Sequence, residues 1–100
     1  MTEAQFRESL QSAAPPSDLS LPLQALWHDA RNDWTRAHDT VQDDESPAGA
    51  WVHAYLHRKE GDRGNARYWY DRARQNECHA PLDEEWQAIV SALLADAQGA

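Results

Sequence analysis

His53, His57 and Glu60 stand at i, i+4 and i+7, a spacing that puts three side chains on one face of a helix. Two imidazoles one turn apart can chelate a divalent metal such as zinc. A third ligand would come from Glu60 or from another helix, and His28 is the candidate there. The pair lacks the glutamate that follows the first histidine in zincin helices. The competing reading is two structural histidines at a helix–helix contact, hydrogen-bonded to acids.

Trp51, Tyr55 and Arg58 repeat the same spacing on the same segment. Aromatic rings flanked by arginine are typical of interface hot spots, and Arg58 or Lys59 could hold a carboxylate. Leu26 and Asp29 would be neighbours from the preceding helix pair. The expected use of this stripe is to bind a protein or peptide. The competing reading is that a terminal helix covers it.

Other chemistry finds little support. Cys78 is the only cysteine, so neither an internal disulfide nor a cysteine cage for a metal can form. It adjoins His79, but sequence neighbours rarely reach the geometry that Cys–His catalysis needs. Gly61-Asp62-Arg63-Gly64 lacks the lysine and hydroxyl residue of a phosphate-binding loop. A non-catalytic role is therefore favoured. The net charge of −8 disfavours general nucleic-acid binding. No apolar run approaches the roughly 20 residues that span a bilayer. The expectation is a soluble protein, with the cytoplasm favoured by the cysteine count. All six bases of the second half lie between Arg58 and Arg74. They read as a solvated face, or as a clamp for an anion or for the acidic run Asp43–Glu45 of a second copy, which would make a homodimer.

Helices must position these residues, because no segment alternates like a strand. A short helix is expected over 1–11, with Phe6 and Leu10 on one face, packed loosely because a Pro/Ser linker over 12–20 follows. Leu21 to Asn32 reads as the next helix, with Pro22 in its first turn. The stripe Trp34, Ala37, His38 and Val41 marks a third. Ser46-Pro47 opens a fourth that stops at Gly61. Asp62 caps a fifth bearing Ala66, Trp69, Tyr70 and Ala73. Leu82, Trp86, Ile89, Val90, Leu93, Leu94 and Ala97 give the last helix, 82–97, the clearest apolar face. The tryptophans, one on each of helices two to six, are expected to form the core between them.

Two segments align with each other. Ala25, His28, Asn32-Asp33, Ala37 and Val41 recur as Ala54, His57, Gly61-Asp62, Ala66 and Tyr70, each 29 positions later (25 to 54, 41 to 70). At these residues the chain resembles the tetratricopeptide repeat family, with its small, alanine and aromatic positions and nearby Pro47 and Pro81. It departs from that pattern in having Leu21 and Ala50 for the opening tryptophan and His28 and His57 for the tyrosine. Its offset is also shorter than the family's period of about 34. The resemblance implies antiparallel helix hairpins whose first helices line a concave surface. The run Ala50–Asp62, continued by Asn65–Tyr70, is similar to a group of small bacterial proteins of unassigned function.

The expected architecture is a single all-α domain over 1–100. Two tetratricopeptide-like antiparallel hairpins, 21–45 and 47–75, are followed by a capping helix, 82–97. The expected function is a protein or peptide interaction module at Trp51, Tyr55, Arg58, Lys59, Leu26 and Asp29. The alternative is a small-molecule or metal-binding protein using His28, His53, His57 and Glu60, with zinc as the candidate ion. No cofactor is required by the first reading.

Overall fold

A computed structural model describes residues 1–99, with side chains given through residue 97. The described chain is all-α: α1 (Glu3–Ser9), α2 (Leu21–Ala30), α3 (Trp34–Val41), α4 (Pro47–Glu60), α5 (Arg63–Ala73) and α6 (Leu82–Gly99). No strand occurs among the described residues, and none of their helices is long and apolar enough to cross a membrane.

Local chemistry starts and stops these helices. Thr2 and Gln5 form a reciprocal capping box on α1, satisfying two orphan N–H groups. The side chains of Asp33, Ser46 and Asp62 accept from the backbone N–H of Arg36, Gly49 and Asn65 and so cap α3, α4 and α5. Ser20 precedes α2 without making such a bond. The two hairpin turns are built alike, 29 positions apart. Asn32 and Gly61 take the left-handed conformation at φ 63° and 93°. The N–H of the following aspartate returns to the carbonyl of His28 in one turn (3.0 Å) and of His57 in the other (2.9 Å). Asparagine and glycine are the residues that tolerate this backbone.

The hairpins α2–α3 and α4–α5 each bury a pair of alanines at the same register. Ala25 and Ala37 lie in one apolar cluster, Ala54 and Ala66 in another. A methyl in place of a larger group lets two helix backbones approach closely. α4 packs against α2, α3, α5 and α6, which makes it the central helix. α6 lays Trp86, Ile89, Val90, Leu93 and Leu94 into the main core, while Ala97 stays exposed.

Two expectations need correction. α1 does not pack loosely: Phe6 is fully buried, its ring centroid 5.9 Å from that of Trp86, and Arg31 donates to the carbonyls of Leu10 at the end of α1 and Ser12 in the linker. Only Trp27 and Trp86 are true core tryptophans. Trp34, Trp51 and Trp69 are half-buried at the edges, because each sits at the rim of its helix's apolar face.

Candidate functional site

The stripe on α4 is largely committed within the chain. Tyr55 is buried, and its hydroxyl donates to Asp29 Oδ2 at 2.8 Å. Lys59 Nζ donates to Asp29 Oδ1 at 2.9 Å, so this buried aspartate of α2 ties α4 down through both oxygens. Leu26 is fully buried, and its carbonyl accepts from the Trp86 indole at 3.0 Å. Arg58 turns toward α6. It donates to Glu85 Oε1 at 2.8 Å and to the Ala80 carbonyl, while the Tyr70 hydroxyl donates to Glu85 Oε2 at 2.6 Å. Burial, then the adjacent carboxylate, pushes both Tyr55 and Tyr70 far above the ordinary phenol range. Trp51 is half-buried beside Glu84, Glu85 and the 75–80 loop, apart from the Asp29 group. The stripe thus splits. α6 and its preceding loop cover Trp51 and Arg58, whereas Tyr55, Lys59 and Asp29 still border an opening.

That opening is a cleft of about 460 Å³ between α1, α2, α4 and α6. Asp29 and Tyr55 lie at its base, and Leu82 and Trp86 form an apolar wall. Arg7 and Lys59 bring positive charge, with side chains 48% and 35% exposed, although Arg7 Nε also donates to Glu3 Oε2 at 3.4 Å and Asp83 lies on the lining beside Leu82. The Arg7 guanidinium stacks over the Trp86 ring at 5.0 Å. Neither Arg7 nor Trp86 stood out in the sequence as a partner of Lys59, because α1 and α6 lie at opposite ends of the chain.

On the other side of α4, three imidazoles meet. His53 and His57 come from α4, as the spacing requires, and the third is His38 of α3 rather than His28. One ligand nitrogen from each lies within 4.8 Å of the other two. His53 Nε2 and His38 Nε2 are 3.1 Å apart, and the ring centroids are separated by 4.8 to 5.3 Å. Indoles flank the group: Trp69 stacks on His53 at 4.0 Å and Trp34 on His38 at 5.0 Å. The Trp34 indole is itself fixed by donating to the Leu56 carbonyl at 2.8 Å.

His28 cannot join because the internal repeat makes it the counterpart of His57, one hairpin away. It packs edge-on against Trp27 instead, where burial and then Arg36 lower its pKa. Glu60 stands behind His57 rather than among the imidazoles, with Oε1 2.5 Å from His57 Nδ1. The sequence already placed His38 on the inward stripe of α3. Only its pairing register with α4 was hidden.

The cluster is electrostatically expensive. Desolvation, followed by the neighbouring imidazoles of His57 and His38, lowers the His53 pKa to about 4, so this ring is neutral near pH 7. His53 Nδ1 is the one buried side-chain nitrogen or oxygen among the described residues that has no hydrogen-bond partner. Such an orphan costs about 1–3 kcal/mol.

Comparison with protein-family models, curated proteins and solved structures gives no match to this chain.

Proposed function

We propose that the protein is a small, non-catalytic interaction module that takes an acidic chain end of a peptide or protein partner in the cleft between α1, α2, α4 and α6. The observation that supports this reading is the pairing of two partly exposed cations, Arg7 and Lys59, with the apolar wall of Trp86 and Leu82 in one opening; Arg7 spends only Nε on Glu3, which leaves its terminal N–H donors for a ligand. A carboxylate would meet the cations by charge-assisted hydrogen bonds, and an aliphatic side chain would lie along the indole. Lys59 keeps donors for a ligand because an ammonium has three and Asp29 uses one. Arg58, expected to share this task, belongs to Glu85 instead. In this reading the two hairpins are a shortened tetratricopeptide-like array working in the cytoplasm. The matched turns at Asn32 and Gly61 and the single cysteine favour that picture.

The test is a titration of the ¹⁵N-labelled protein with short peptides ending in acidic residues, against the same peptides with an amidated C-terminus. Shifts should cluster at Arg7, Lys59 and the Trp86 indole, and amidation should weaken binding. Arg7→Glu should weaken it at least about tenfold, the loss of one charge-assisted bond. Equal response to acidic and amidated peptides, or shifts lying away from the cleft, would refute the reading.

A further inference from the structure

We propose that His38, His53 and His57 form a binding site for one borderline divalent transition-metal ion of the zinc class, with Glu60 as the residue that positions His57. The cluster lies on the α3–α5 side of α4 and is independent of the cleft.

Three observations carry this. The first is the donor set. Three imidazoles within 4.8 Å of one another, without a thiolate, suit zinc, copper or nickel. Zinc–nitrogen bonds of about 2.0–2.1 Å put two tetrahedral ligand nitrogens about 3.3 Å apart. His53 Nε2 and His38 Nε2 are already 3.1 Å apart. Drawing the third nitrogen in asks for a movement of up to about 1.5 Å, within reach of side-chain rotation about staggered torsions.

The second is the proton inventory. His57 Nδ1 faces the Glu60 carboxylate, so it carries the proton and leaves Nε2 with its lone pair. This carboxylate–histidine pair is the arrangement that orients metal-binding imidazoles and raises their basicity. In the His38–His53 contact one Nε2 donates and the other accepts; metal binding shifts the donor's proton to its own Nδ1, so that both Nε2 lone pairs turn to the ion.

The third is that the cluster makes poor sense as packing. It sets three titratable rings together and leaves His53 Nδ1 buried without a partner. The stacked Trp34 and Trp69 rings hold His38 and His53 in place and exclude water from their faces.

The full chain is titrated with Zn(II) by calorimetry, and with Co(II) followed by its visible ligand-field bands. The expected result is one equivalent bound and a raised melting temperature. Cu(II) should quench tryptophan emission, since Trp34 and Trp69 touch two of the ligands. His38→Ala lies on a partly exposed helix face and should fold, yet lose the site. Glu60→Gln should retain one-to-one binding about 10–100-fold weaker. His28→Ala should bind like wild type. Absence of Zn(II) and Co(II) binding overturns the proposal. So does binding that survives His38→Ala, or that is lost in His28→Ala. Glu60→Gln binding as tightly as wild type would remove the positioning role while leaving the three ligands.

Discussion

Glu85→Gln tests how the last helix is held. Glu85 is 4% exposed and receives Arg58 from α4 at 2.8 Å and Tyr70 from α5 at 2.6 Å. The amide keeps the shape and still accepts from Tyr70, but it removes the charge that compensates Arg58. Removing one partner of a buried ion pair costs about 3–5 kcal/mol. The Arg58 side chain is 19% exposed and retains the Ala80 carbonyl, which puts the cost at the lower end, about 3 kcal/mol. For a domain of this size, 1 kcal/mol moves the melting temperature by about 4–8 °C, so a fall of about 12–24 °C is expected. Urea unfolding followed by circular dichroism measures it directly. The double variant Glu85→Gln/Arg58→Met should be less unstable than the two single losses added, by about 1 kcal/mol or more, because no stranded charge remains. A Glu85→Gln protein within about 0.5 kcal/mol of wild type would refute the argument that α6 is anchored by charge as well as by apolar contact.

Two glycines should respond with opposite sign. A Cβ at Gly49 would lie 2.5 Å from Asp44 Cγ and 2.7 Å from the Asp44 carbonyl oxygen, whereas one at Gly64 meets nothing within 4 Å. Gly49→Ala should therefore destabilise by about 1–3 kcal/mol, as overpacking does, and Gly64→Ala should stabilise by about 0.5–1 kcal/mol, both read from urea midpoints. Tyr55 and Tyr70 have folded-state pKa values raised above the ordinary phenol value of 10.0, so the unfolded chain loses their protons first as pH rises. Their contribution to stability is complete below pH 10 and is lost above it. Tyrosinate absorbance from these two should appear only together with loss of helical circular dichroism, assigned with Tyr55→Phe and Tyr70→Phe. Ionisation of either ring in a chain that remains helical would contradict their burial.

The six helices and most of their ends were legible because their causes are local. Asp62, Ser46 and Gly61 act on the nearest turn, and the 29-residue recurrence carries the hairpin from one unit to the next. Sites were legible only in part. His53 and His57 share a face because helix geometry compels it. Trp51, Tyr55 and Arg58 share one too, yet their fate depends on what packs over them. A stripe of aromatic and charged side chains looks the same in sequence whether a partner or the chain's own α6 covers it. The hydrogen bonds from Tyr55 to Asp29 and from Arg58 to Glu85 span 26 and 27 positions, beyond any spacing rule.

The sequence by itself determined an all-α chain of paired helices, the small alanines at their contacts, and two imidazoles aligned on α4. Tertiary structure alone decided that α1 and α6 meet across the chain to close a cleft around Asp29, and that His38 rather than His28 faces His53 and His57. Periodicity fixes which way a residue points from its own helix. The register at which one helix slides against another is set by the packing of all their side chains together, and that register chooses which residues become neighbours.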